Sequence, residues 1–154
     1  MDSFVGVVRG GSPKGQAMNW MRRIGVGLSG LATLFFILDG TGKLLRIEQV
    51  LRSTNELGWP PSAVVPLGIL VLLGAVLYAV PRTTVLGAIY LTGFLGGAVA
   101  THYRVGSPLA THVLFGVYVG LIMWAGLALR YPTLFKAVFA KPGSRSSTVA
   151  RRSI

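Results

Sequence analysis

The sequence predicts an all-α membrane protein, a four-transmembrane-helix bundle with a short outer amphipathic helix between spans one and two. Three observations predict it. Apolar residues make up 52% of the 154 residues and charged residues only 12%, about half the charge typical of a soluble domain. The charges crowd the two ends and one internal link, leaving long uncharged stretches between them, which is how a bilayer sorts a chain. Four of those stretches are each about 18–22 residues long, enough for a helix to cross roughly 30 Å of hydrocarbon. No water reaches the backbone polar groups there, and a helix satisfies them within one segment.

Residues 1–19 are polar and glycine-containing and are expected to form a flexible N-terminal tail, with Met18 and Met21 as alternative starts. Met21-Arg22-Arg23 followed by the apolar run from Ile24 resembles a signal peptide. No small-residue cleavage pattern follows, and after Asp39-Gly40-Thr41-Gly42-Lys43 the chain stays apolar at Leu44-Leu45. An uncleaved first span, about 24–45, is therefore expected. The link from Arg46 to Ser62 carries Ile47, Val50, Leu51 and Leu57 at helical spacing, with Arg46, Glu48, Arg52 and Glu56 between them. That pattern predicts a short amphipathic helix lying on the membrane surface, an ordinary loop being the alternative. Trp59-Pro60-Pro61 ends it at the interface, where tryptophan is favoured. Span two, about 63–80, ends at Pro81-Arg82, so short a link that spans two and three form a tight hairpin. Span three covers about 83–103, Gly106-Ser107-Pro108 makes a turn, and span four covers about 110–129 and ends at Arg130-Tyr131-Pro132. The transmembrane domain is thus 20–135, and the basic, serine-rich residues 136–154 are expected to be disordered.

Lysine and arginine counts set the expected orientation. The two tails and the link between spans two and three share one side, which holds Arg9, Lys14, Arg22, Arg23, Arg82, Arg130, Lys136, Lys141, Arg145, Arg151 and Arg152. The other side holds only Lys43, Arg46, Arg52 and Arg104. Both termini are therefore expected in the cytoplasm. The formal net charge of +11 raises nucleic acid as a partner. The basic residues flank apolar segments and follow no nucleic-acid motif, so membrane lipid is the expected partner and nucleic acid is not. The absence of cysteine excludes disulfides, thiolate metal sites and a thiol relay within this chain.

Gly93 and Gly97 are four apart, as are Gly116 and Gly120. Small residues at that spacing let helices approach closely in lipid, either inside one bundle or in a homo-oligomer. Ionisable residues inside spans are costly unless paired or hydrated, so each asks for a reason. Asp39 lies sixteen positions beyond Arg23, about 24 Å along the first span. His102 lies about 30 Å beyond Arg82 on the third span. Arg104 follows it, His112 opens span four, and Lys43 sits one turn past Asp39, where an ion pair can form. Asp39, Lys43, His102, Arg104 and His112 thus reach one depth, with Thr101 and Tyr103 alongside. Two readings stand: a polar pocket for a ligand, proton or quinone, or ion pairing of Asp39 with Lys43 or Arg104 that holds the bundle together. The two histidines raise metal or haem, but only Asp39 joins them, so no metal is expected. Phe35, Phe36, Tyr90, Phe94 and Trp124 are expected to pack or face lipid, and Tyr78 and Tyr131 to anchor at the inner interface.

Leu38-Asp39-Gly40, Lys43-Leu44, Glu56-Leu57-Gly58-Trp59-Pro60, Leu77-Tyr78, Pro81-Arg82-Thr83, Leu86-Gly87-Ala88, Gly96 to His102 with Arg104, and Trp124-Ala125-Gly126 with Leu129-Arg130 together resemble the DoxX-like family of bacterial membrane proteins. The resemblance covers roughly Gly25 to Pro132, and its most specific run is Pro81 to Arg104. It implies a four-helix integral membrane protein. The wider group is named for a small subunit of a thiosulfate-to-quinone oxidoreductase, and some relatives are linked to oxidative-stress complexes. The resemblance therefore implies a non-catalytic subunit or accessory component of a membrane redox or stress-response complex. Two alternatives accompany it: a small-molecule or quinone-binding protein using Asp39, His102 and Arg104, and an oligomeric transporter or channel. Intrinsic enzymatic activity is left open and no cofactor is required, quinone being the one candidate. Asp39, Lys43, Pro81, Arg82, His102 and Arg104 match the family pattern, and no catalytic residue carries over.

Overall fold

Proline is tolerated at the first position of a helix, where its missing N–H has no partner to lose, and Pro13 opens α1 (Pro13–Leu44). The helix begins ahead of the apolar segment because Lys14, Gln16, Ala17 and Met18 are good helix formers. It takes in residues 13–19 of the stretch expected as a tail. The structure, a computed structural model, describes residues 13–133 and residue 135; the expected tail segments 1–12 and 136–154 lie outside the described residues. At 32 residues α1 is about 48 Å long and outruns the hydrocarbon. Arg22 and Arg23 divide its apolar part from its polar first turns.

The remaining helices are α2 (Glu48–Glu56), α3 (Val64–Ala79), α4 (Thr84–Arg104) and α5 (Phe115–Arg130). A single 3₁₀ turn at Pro61–Ala63 leads into α3, and one π-helical turn at Leu109–Val113 leads into α5. Four helical stretches are long and apolar enough to cross a membrane: Gln16–Leu44, Pro61–Ala79, Thr84–Arg104 and Leu109–Arg130. Only 28–33% of each is buried inside the protein. The outward surface includes Leu34, Leu38, Ile69, Leu73, Val76, Leu86, Ile89 and Leu121, an apolar belt that water would not tolerate and lipid does. No strand occurs among the described residues.

The spans run up and down around a ring. α1 packs against α3 and α5, and α4 packs against α3 and α5; α1 and α4 are diagonal, as are α3 and α5. Glycines let the backbones close at four places. At the end carrying Pro81-Arg82, a Cβ on Gly25 or Gly126 would collide across the α1–α5 contact, and a Cβ on Gly87 would lie 2.3 Å from the Tyr78 amide nitrogen across the α3–α4 contact. Nearer the α2 end the close pairs change. Gly40 and Gly68 bring α1 against α3, and Gly116 brings α5 against Val99 and Leu95 of α4. The bundle therefore opens toward α2 as two tight pairs, α1/α3 and α4/α5.

Phe36, Val71, Tyr78, Leu91, Met123 and Leu127 form the buried core. Tyr78 is not the interfacial anchor expected from its place near Pro81: it is fully buried. Its hydroxyl donates to the Met123 carbonyl at 2.8 Å and lies 3.0 Å from the buried Ser29 hydroxyl. One phenol thereby ties α3 to α5 and α1, because a hydroxyl taken out of water must find partners.

Candidate functional site

Three helices end near α2 in the same way. After α1, the Ile47 amide bonds the Gly42 carbonyl and the Arg46 amide bonds that of Lys43, with Arg46 left-handed at φ 52°. After α2, Trp59 reaches Thr54 and Gly58 reaches Asn55, with Gly58 at φ 79°. After α4, Ser107 reaches His102 and Gly106 reaches Tyr103, with Gly106 at φ 71°. Each is the paired-hydrogen-bond turn that satisfies the last carbonyls of a helix. Glycine supplies the left-handed residue without strain at two of them; Arg46 does so with a side chain. These turns fold α2 back over the bundle and set Ser107 beside His102.

Between the two helix pairs, under α2, lies a cavity of about 550 Å³. Asp39 and Lys43 of α1, Thr101 and His102 of α4, and His112 line its polar part. Phe35, Phe36, Phe94 and Phe115 line its apolar part, and Val50, Ser53 and Thr54 of α2, with Leu57 and Trp59 just after it, form its roof. α2 is the short amphipathic helix expected between spans one and two; its inner face covers this cavity, and Thr54 is buried there. The Phe35 and Phe115 rings meet edge to face at 5.5 Å on the α1–α5 side.

Asp39 and Lys43 form an ion pair one turn apart on α1, both partly buried. Because the pair lies within one helix, it joins no two spans. Of the two pairings weighed from the sequence, the structure shows that with Lys43 and not that with Arg104. The pair cancels its own charge and makes an ionisable segment tolerable at this depth. The His102 and His112 rings stand 5.8 Å apart at the centroids. His102 Nδ1 shares a hydrogen bond with Ser107 Oγ at 3.1 Å, and His112 Nδ1 one with Thr111 Oγ1 at 2.8 Å. Thr101 Oγ1 donates to the Gly97 carbonyl of its own helix at 2.8 Å.

Arg104 is elsewhere. Its guanidinium donates to the Leu57 carbonyl at 2.8 Å and lies beside Gly58, outside the cavity lining. It fastens the end of α4 to the turn that follows α2. Two positions past His102 on a helix is a rotation of about 200°, so the two side chains leave α4 on opposite faces. Gly116 and Gly120 face Leu95 of α4, in keeping with a packing role. Within the chain Gly93 and Gly97 pack against no other helix: a Cβ at either meets nothing within 4 Å, and both line the cavity. The aromatic wall and the α2 roof are the parts that the sequence reading missed. The spacing of Val50, Thr54 and Leu57 carried the signal for the roof.

Asp39 and Lys43 cancel, and the imidazoles and hydroxyls give and take hydrogen bonds. Such a lining suits a neutral polar head on an apolar body better than a free anion or cation. Among the described residues no group of three or more acidic or histidine side chains is placed to hold a metal ion.

No curated protein and no solved structure matches the chain. The family model described as the DoxX-like family matches residues 27–126, a stretch that takes in every cavity-lining residue named above. The chain belongs to that family.

Proposed function

We propose that this DoxX-like membrane protein is a binding protein for a small amphiphilic molecule of the quinone kind. The ligand's polar head meets Asp39, Lys43, His102 and His112, and its ring or apolar body lies among the phenylalanines. One observation carries this reading. Four of the five ionisable residues that depth arithmetic brought together line a single cavity, whose volume of about 550 Å³ lies within the usual range for small-molecule sites. The proposal removes Arg104 from the ligand's contacts and gives it the task of holding the roof. The test is ligand-induced thermal stabilisation across a panel of quinones and neutral metabolites. Native protein is expected to be stabilised by at least one quinone. Asp39→Asn with His102→Ala should lose most of that ligand-induced shift, measured against the variant's own unliganded melting point, which falls because Lys43 loses its partner. Unchanged stabilisation in the double variant would sink the proposal.

The wider role belongs to the same proposal: a non-catalytic ligand-holding component of a membrane redox or stress-response complex, in the bacterial inner membrane with both termini cytoplasmic. Family membership and the charge asymmetry support it. Purification in mild detergent checks the partnership, and a chain that always elutes alone contradicts it.

A further inference from the structure

Tyr90 and Leu91 of α4 seat against Gly74 of α3, and one turn further toward the α2 end that contact stops. Gly93 and Gly97 follow Tyr90 by three and seven positions and so continue its face of α4. Both are exposed, both line the cavity, and a Cβ on either would stand in open space. Across from them α3 offers Leu67 to the lining. The cavity is thus unwalled between α3 and α4 at these two glycines. Counted from Thr84, they lie about 14 and 20 Å along α4, inside the span and away from either membrane face. α2 covers the cavity toward water, with the Arg104 bond to Leu57 holding the end of that cover, and the Phe35–Phe115 contact lies across the α1–α5 side.

We infer that the cavity opens sideways to the acyl chains, through the gap at Gly93 and Gly97, and that its ligand is a lipid-phase molecule whose alkyl or isoprenoid tail leaves through that gap. This rests on the reading that the cavity holds a ligand, and it adds what kind and by which route. A water-soluble head group alone would have no use for an opening at this depth. A tailed one is served by such a gap, because an alkyl or isoprenoid tail that leaves there stays in lipid.

The experiment uses the full chain in lipid nanodiscs and two probes, decyl-ubiquinone and the tail-free ubiquinone-0. The variant Gly93→Leu/Gly97→Leu fills the gap where there is room for the side chains; Gly97→Leu alone serves if the double variant does not assemble. Gly96→Leu, also in open space but off the cavity lining, is the control. The gap variant is expected to bind decyl-ubiquinone at least tenfold more weakly and ubiquinone-0 within threefold of native, with Gly96→Leu unchanged for both. Equal binding of the decyl probe by native and gap variant overturns the inference. So does an equal loss of both probes, which would make the glycines part of the head-group pocket. If native protein binds neither probe, the ligand reading itself fails, an outcome seen before any variant is made.

Discussion

At the scale of single residues, the depth of an ionisable group in a span is set by its position along the helix, and the face on which it leaves is set by the helical rotation. Counting 1.5 Å per residue brought Asp39, Lys43, His102, Arg104 and His112 to one end of the bundle, and four of them meet in one cavity. Arg104 leaves α4 on another face and bonds the Leu57 carbonyl, a partner forty-seven residues away that no spacing rule reveals. Its removal should loosen the roof more than the ligand head. Arg104→Ala is expected to raise amide hydrogen exchange across α2 several-fold, and unchanged exchange there would remove Arg104 from that role. Tyr78 shows the same limit. Its place beside Pro81-Arg82 suggested an interface, yet its partners Ser29 and Met123 lie on two other spans. Tyr78→Phe keeps the volume and deletes the hydroxyl. The expected cost is about 1 kcal/mol, the usual worth of a hydrogen bond between membrane helices. Thermal or denaturant unfolding in detergent measures it, and no loss would mean that the three-span joint contributes nothing.

At the scale of helices and turns, glycine spacing signalled close packing but not which glycines would pack. Gly93 and Gly97 share the four-residue spacing of Gly116 and Gly120 and yet face open space, because spacing fixes a common face and not what stands opposite it. The two classes should respond oppositely to alanine. Gly87→Ala drives a Cβ into the backbone at Tyr78 and is expected to cost about 1–3 kcal/mol, as overpacking does. Gly93→Ala meets nothing and should be neutral or stabilising by up to about 1 kcal/mol, the difference in helix propensity. Melting points of the two variants decide; equal losses would contradict the splayed arrangement of the helix pairs. α2 was legible as an amphipathic helix from Ile47, Val50, Leu51 and Leu57. Whether its apolar face met lipid or protein depended on the sharp turn at Arg46, which a non-glycine residue does not announce.

At the scale of the whole molecule, the fold was legible because a bilayer leaves few options. Segment length and hydropathy alone gave four spans whose bounds differ from the helices by a few residues, save at the start of α1. The cavity was not legible, since it arises from which helix pairs close at which end. The proposed orientation rests on Arg and Lys placement, and a chain without cysteine makes it easy to check. A single cysteine in place of Ser62 should react with a membrane-impermeant thiol reagent on intact cells, and one in place of Ser144 should react only after lysis. The reverse pattern would invert the protein in the membrane. The central claim is that the cavity is a ligand site, and Trp59 in its lining reports on it most directly. With Trp20 and Trp124 replaced by Phe, Trp59 fluorescence is titrated with decyl-ubiquinone in nanodiscs. The account predicts saturable quenching that weakens at least tenfold with Asp39→Asn and His102→Ala together. Quenching that rises linearly without saturation, and equally in both proteins, would contradict it.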